Sequence, residues 1–352
     1  MHPQSEGVGF FMETSFHYEV YRNIITALLS QNVRCELLIN DLIEPTFVNE
    51  MIATLNKIRT PGLTFARVSM VLKTEKKYRC LITPYHISYL KNAASLHIRA
   101  LYGLAKNQWN HARWNAHYHY ILCYSRYTQA SLNLGEKAVV IGNPRFDDWH
   151  NKTTPLDVPE ELKLDKNKPT LLYAPTYGEL SSLPHWAEKL GRLSHEYNII
   201  AKLHHGTMYR ESERGALKLA RRHLKKMTAD SSASLALLRH ADIVITDNSG
   251  FIFDAINADK KVILLNWQGM DSLLQDNATF SDPDSPDQQV RSFLPVASDM
   301  QDLRHYLSDE YQWQDIAPQL AHIKQEYCDA FNDGMAGLRA ALVIIEAMAE
   351  RR

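Results

Sequence analysis

"ADIVITDNSGFIFDAINADKKVILLN" (residues 241–266) carries a whole supersecondary unit. Asp242 to Thr246 has the length and β-branching of a buried strand. Asp247, Asn248, Ser249 and Gly250 make a polar break, after which Phe251, Phe253, Ala255, Ile256 and Ala258 recur at helical spacing. Val262 to Asn266 is a second apolar run. Strand, tight turn, helix and strand predict one βαβ crossover, and hence a parallel sheet. A strand-to-helix turn ending in Ser-Gly exposes backbone N–H groups at the positive end of a helix, which suits a phosphate. The same residues also suit plain N-capping, and spacing alone does not separate the two readings.

Outward from this stretch the pattern repeats. Upstream, "TLLYAPTYGE" and "YNIIAKLHHGT" read as strands running into polar loops. Further upstream, "GVGFFM", "VRCELLIND", "FARVSMVL", "RCLITPY", "YHYILCYS" and "KAVVIGNPRFDDW" read as strands. "FHYEVYRNIITALLSQN" and "SRYTQASLNL" read as helices. The stretch from Ser95 to Asn115, rich in aromatic, amide and basic residues, fits neither pattern. Alternating strands and helices imply a parallel sheet covered on both faces. The proline-bearing stretch His150 to Thr170 reads as a linker. The expected organisation is therefore α/β: a Rossmann-like domain over 1–150, a linker over 151–169, a second Rossmann-like domain over 170–315, and helices over 316–352 packing back on the first. Two such domains face a cleft, and loops at the carboxyl ends of strands should line it.

Composition narrows the function classes. The chain has 352 residues, enough for two domains, with 45% hydrophobic and 22% charged residues and a net charge of −1. That balance argues against nucleic-acid binding by bulk charge. Four scattered cysteines without a CxxC pair suggest neither a disulfide framework nor a zinc site, and suit a reducing cytoplasm. No signal peptide is expected, and no apolar run reaches the roughly 20 residues of a spanning helix. Membrane contact would be peripheral, on the cytoplasmic face of the inner membrane.

Several polar clusters can carry chemistry. In the turn, the Ser249 hydroxyl and nearby N–H groups can bind a diphosphate, and Asp254, four residues after Gly250, can meet a ribose. In "AKLHHGT", Lys202 and His204 point to one side of a strand end, and both can donate to phosphate oxygens. A histidine there can stay positive beside an anion, or be one of sixteen ordinary histidines. Thr176 and Tyr177 follow the strand ended by Pro175. Asn143 and Arg145 lie in "IGNPRFDDW", where the arginine can reach an anion. "ALKLARRHLKK" places Lys218, Arg221, Arg222, Lys225 and Lys226 around a narrow apolar stripe, suited to a solvated helix or to anionic headgroups. His111, His117 and His119 lack acidic or cysteine partners, so aromatic packing is expected there and no metal site.

Read together, "GNPRFDDW", "YAPTYGE", "KLHHG", "ADIVITDNSGFIFDAINADKKVI" and the late "FNDGMAGLR" resemble the CDP-glycerol glycerophosphotransferase family. Its patterns are G-[YN]-P-R, Y-A-P-T-[WY], [RK]-x-H-P, A-D-x-[LV]-I-T-D-[YN]-S-[SG]-x-x-[FY]-[DE] and D-G-x-[AS]-x-x-R. The resemblance runs from about Ala116 to Arg339. It implies a GT-B-like fold, with the nucleotide donor in the C-terminal domain and the acceptor in the N-terminal one, and no bound metal. By position it implies that His204 contacts the donor phosphates, that Ser249 and Gly250 form the phosphate turn, and that Asp254 and Thr176 lie on the donor side. Two departures stand out. His205 replaces the family's proline. The N-terminal His-Gly that supplies the presumed base is represented by Tyr102-Gly103, with Lys106 behind, leaving Tyr102, His17 and His86 as candidate bases.

The function implied is transfer of glycerol phosphate, or a related polyol phosphate, from a CDP-linked donor to a hydroxyl of a lipid-linked or surface-glycan acceptor, with CMP released. No cofactor is expected beyond the donor substrate. A GT-B glycosyltransferase using a nucleotide sugar is the alternative. A UDP-N-acetylglucosamine 2-epimerase-like enzyme and a non-catalytic binding module are further ones.

Overall fold

The computed structural model describes residues 5–153, 162–276 and 282–351. The stretch that opened the reading is a strand (Ile243–Thr246), a helix (Phe251–Asn257) and a strand (Lys261–Leu265), and the two strands pair in parallel. The chain falls into two units. The first comprises Met1–Tyr102, His111–Thr154 and Asp329–Arg352, and the second Gly103–Asn110 and Pro155–Cys328.

The first unit contains β1 (Ser5–Met12), β2 (Cys35–Ile39), β3 (Leu63–Arg67), β4 (Tyr78–Thr83), β5 (Ala94–Ala100), β6 (Tyr120–Cys123) and β7 (Ala138–Val140). Their order is β3-β2-β1-β4-β5-β6-β7, all parallel. Phe10, Phe11 and Met12 are all buried, because helices cover both faces of such a sheet and a continuous apolar run is then needed. The Ser15–Ser30 helix turns Val20, Ile24, Ile25 and Leu28 inward. Each such side chain is worth about 1.5–3 kcal/mol when fully buried. The Ala336–Ala349 helix adds Ala340, Ala341 and Ile344 to the same core. Its Gly337 permits the contact, since a Cβ there would stand 2.8 Å from the carbonyl oxygen of Asn23. The buried Asp147 carboxylate accepts from Ala336 N (3.0 Å) and Gly337 N (2.7 Å), capping this helix from the "NPRFDD" loop.

The second unit contains β8 (Thr170–Ala174), β9 (Asn198–Lys202), β10 (Lys226–Thr228), β11 (Ile243–Thr246), β12 (Lys261–Leu265) and β13 (Val296–Ala297), ordered β10-β9-β8-β11-β12-β13 and all parallel. Counted within the unit, this is the doubly wound order 3-2-1-4-5-6, whose reversal lies between β8 and β11. Ligands of such sheets bind at that reversal. Ala174 and Thr246 end these two strands in register, and the Thr246 hydroxyl donates to Ala174 O at 2.7 Å. The loops after β8 and β11 therefore leave the sheet side by side.

Several expectations need correction. The second half of "FARVSMVL" is a helix, Val68–Lys73. The Asp41 carboxylate takes Ser69 N at 2.9 Å and the Ser69 hydroxyl, so a tertiary contact overrides the strand-like pattern. The unplaced segment contains β5, whose fully buried Arg99 hides the apolar alternation. Its guanidinium donates to Pro84 O (2.9 Å) and Asn115 Oδ1 (2.7 Å) and lies 4.6 Å over the Trp114 ring. The basic helix ends at His223, and Lys226 lies in β10, where it donates to Leu162 O. Gly103–Asn110 belongs with the second unit although its sequence lies in the first half, and of residues 316–352 only Asp329–Arg352 joins the first. Residues 154–161 of the expected linker, and 277–281 of a polar loop, lie outside the described residues.

Candidate functional site

At the reversal of the second sheet, Asp247 decides how the loops are held. Its buried carboxylate accepts from Thr176 N (2.8 Å), Ser182 N (2.7 Å) and the Ser182 hydroxyl (2.7 Å). Burial raises its pKa, and these hydrogen bonds pull the other way. Asn248 is equally buried. It donates to Leu180 O at 3.1 Å and accepts from Gln288 Nε2 at 3.3 Å. Both side chains face into the protein and hold the loops in place. What they leave at the surface is the next pair, Ser249 and Gly250, both partly exposed. The Ser249 hydroxyl oxygen accepts from Phe251 N at 3.2 Å, so the capping reading is realised. Its own proton remains to be donated.

His204 ends the neighbouring β9 loop. Its Nδ1 accepts from Gly206 N at 3.0 Å. A backbone N–H can only donate, so the neutral ring carries its proton on Nε2. The ring stacks on Tyr177 at 4.4 Å and lies 3.9 Å from the His205 ring. Gly206 is required here, because a Cβ would come within 2.8 Å of the Tyr177 ring. The pKa of His204 is lowered well below the ordinary value, first by burial and then by His205, Lys202, Lys106 and Arg210. In the protein without a ligand, His204 is thus a neutral N–H donor with basic groups nearby. Lys202 lies with its ammonium 5.3 Å from the Phe251 ring, and Arg210 with its guanidinium 5.2 Å from the Tyr177 ring. Thr176 is buried, while Asp254 is partly exposed in the helix that follows the turn.

The other candidates lie in the first unit. His17 follows β1, and its Nδ1 accepts from Glu13 N at 3.1 Å, which again leaves the proton on Nε2. The ring sits among Tyr21, Tyr85 and Tyr102, at 6.4, 5.9 and 5.8 Å, and burial lowers its pKa to about 3. A ring with its one lone pair already engaged is a poor base, so the geometry argues against that role for His17. Tyr85 donates to Glu13 Oε2 at 3.0 Å. Asn143 and Arg145 are also in this unit and buried. Asn143 Oδ1 accepts from Arg145 N at 3.3 Å, and the Arg145 guanidinium lies 4.6 Å over Phe16. His86 stacks on His117 at 4.6 Å. Among the described residues no three His, Cys, Asp or Glu side chains gather as metal ligands, and no helix is long and apolar enough to cross a membrane.

The sequence reading missed Ser182 and Gly206. Gly206 had a signal, the H-H-G at a strand end. Ser182 had none, since it acts through Asp247, distant in sequence.

Comparison with known proteins agrees with this architecture. The wall teichoic acid polymerase TagF matches with a TM-score of 0.70 at 16% identity, over 98% of this chain and 89% of that one. A putative UDP-N-acetylglucosamine 2-epimerase from Listeria monocytogenes matches with a TM-score of 0.62 at 10% identity, over 99% and 97%. The S. aureus MnaA–UDP co-structure matches with a TM-score of 0.60 at 12% identity, over 98% and 97%. At these identities the likeness shows the fold, a GT-B-like α/β architecture. No curated protein matches by sequence. The description "CDP-Glycerol:Poly(glycerophosphate) glycerophosphotransferase" matches residues 78–272, a span that begins upstream of the quoted motifs and takes in β4 to β12. With more than half of its length so matched, the chain belongs to the CDP-glycerol:poly(glycerophosphate) glycerophosphotransferase family and is a transferase.

Proposed function

We propose that the second unit holds the diphosphate of a CDP-linked polyol at the ends of β8, β9 and β11. The chain transfers its glycerol phosphate, or a related polyol phosphate, to a hydroxyl of a lipid-linked or surface-glycan acceptor. The observation that carries this reading is the His204 ring, its Nδ1 held by Gly206 N so that Nε2 carries the proton, with Lys202, Lys106 and Arg210 near enough to help lower its pKa. Cations crowded together in the free protein repel one another, and a diphosphate relieves that repulsion. Ser249 supplies a hydroxyl and Gly250 an uncluttered backbone beside it. Asp254 and Tyr177 contact the nucleoside portion.

In the reaction the acceptor oxygen bonds to the β-phosphorus while the bond from that phosphorus to the bridging oxygen breaks. CMP leaves with the electron pair, and the acceptor proton passes to solvent. His204 and Lys202 stabilise the charge that builds on CMP. Acceptor recognition falls to the first unit, with His17 as an N–H donor beside Tyr102. No metal or cofactor enters the scheme. A lipid-linked acceptor implies work in the cytoplasm with peripheral contact at the inner membrane.

A nucleotide-sugar enzyme is the second reading, favoured by the likeness in fold to the epimerase structures. Thermal shift with CMP, CDP-glycerol, UDP and UDP-sugars separates the two, because a ligand that binds the folded state raises its melting temperature. Stabilisation by cytidine ligands, lost in Ser249→Ala, is expected. Stabilisation by uridine ligands alone overturns the proposal.

A further inference from the structure

The strand order of the first sheet reverses between β1 and β4, the place where a sheet of this kind takes its ligand. The loops after β1, β2 and β4 meet there on one carboxylate. Glu13 follows β1 directly, and its Oε2 accepts from the Tyr85 hydroxyl (3.0 Å) after β4 and from Asn40 Nδ2 (3.5 Å) after β2. Its own backbone N–H donates to His17 Nδ1 at 3.1 Å. Glu13 is partly exposed. Bracing three loops uses one oxygen of the carboxylate. The other, Oε1, takes no hydrogen bond from the described residues, so its lone pairs are left over.

The His17, Tyr85 and Tyr102 rings stand beside this group, with centres 5.8 to 6.0 Å from one another. His17 has its ring lone pair engaged and can only donate. The group next to it that can take a proton is Glu13 Oε1. Aromatic rings around one carboxylate suit an uncharged polyhydroxyl compound. Its hydroxyls can donate to the carboxylate, and its carbon skeleton can lie on the rings. A phosphate in the same place would meet a like charge.

We infer that Glu13 Oε1 takes the proton of the acceptor hydroxyl, and that the reacting end of the acceptor is an uncharged polyol or sugar. The acceptor oxygen forms its bond to the β-phosphorus with a lone pair, and its O–H proton moves to Oε1. CMP leaves with the electron pair of the broken phosphorus–oxygen bond, and Glu13 then passes the proton to solvent. The inference rests on the donor reading above. It names a residue that lies between the quoted stretches "GVGFFM" and "FHYEVYRNIITALLSQN" and belongs to neither.

The test is CMP release from CDP-glycerol by the full chain, in Glu13→Gln, Glu13→Asp and His204→Ala. Glycerol, methyl glucoside and glycerol 3-phosphate serve as hydroxyl probes. Calorimetric titration with CDP runs alongside and reports both folding and donor binding. Glutamine can still accept from Tyr85 but cannot take up the proton. Glu13→Gln should release CMP about 100-fold or more slowly at parental CDP affinity, the usual worth of a general base. Glu13→Asp should lose less. Glycerol or methyl glucoside should be used faster than glycerol 3-phosphate. Parental release in Glu13→Gln, with release lost in His204→Ala, overturns the inference and leaves the donor reading standing. Parental release in both overturns the donor reading as well. Loss of CDP affinity together with release in Glu13→Gln makes the residue structural and overturns the inference. A preference for glycerol 3-phosphate overturns the uncharged acceptor, and so does a parent chain that binds CDP but uses none of the three probes.

Discussion

In both units the strand order reverses between the first and fourth strands, and in both a histidine stands near that point with its Nδ1 tied to a backbone N–H. The surroundings differ. His17 is enclosed by tyrosine rings beside the Glu13 carboxylate. His204 has a single tyrosine against it and is crowded by Lys202, Lys106, Arg210 and His205. The shared geometry makes each ring a fixed N–H donor. The neighbouring loops decide what surrounds that donor: tyrosine rings in one unit and basic side chains in the other.

The largest effect expected from this contrast is on stability. The His17 pKa lies at about 3 in the folded chain against 6.5 in the free residue. The unfolded chain therefore binds the proton first as pH falls through 6.5, and folding loses up to about 5 kcal/mol by pH 3. Asp147 runs the other way. Its pKa is raised to about 6, so its neutral form gains stability as pH falls from 6 towards 3.8. Urea unfolding of His17→Phe against the parent between pH 4 and 7 isolates the histidine. The variant should show a shallower loss of stability towards acid, and an unchanged slope would mean that His17 is not held neutral.

Next in size, His204→Ala should lower kcat/KM about 100-fold or more, the usual effect of removing one donor to developing charge. The half-buried loop position should keep the change in stability near 1 kcal/mol. CMP release assays and melting curves on one preparation check both. Normal turnover would remove the second unit's claim to the donor. The smallest effect belongs to Gly250→Ala. Gly250 has φ −60° and no atom nearer than 3.8 Å to an added methyl, so stability should stay within about 1 kcal/mol. Any loss of CDP affinity in that variant then reports a ligand lying over the turn.

Much of this was legible in the chain. The apolar runs of β8, β11 and β12 and the polar breaks after them carry the parallel order, and four quoted loops carry the family. Side-chain direction was not legible. Asp247 and Asn248 sit in the most conspicuous motif yet point inward, because a loop at a sheet reversal needs its backbone N–H groups satisfied before it can present anything. Arg99 disguised a strand, since a buried guanidinium reads as surface until its carbonyl, amide and ring partners are known. The Ser285 hydroxyl that accepts from Lys106 N lies almost 180 positions away, beyond any local pattern.

The division of the chain has a consequence for its birth. The polypeptide passes between units at 102/103, 110/111, 154/155 and 328/329. A ribosome delivers the residues of the second unit by Cys328, whereas the first still lacks Asp329–Arg352. Until those residues emerge, the Ser15–Ser30 helix has no Ala340, Ala341 or Ile344 to pack against. The unit that starts first is therefore the one that finishes last, and its waiting apolar face is what a chaperone would meet.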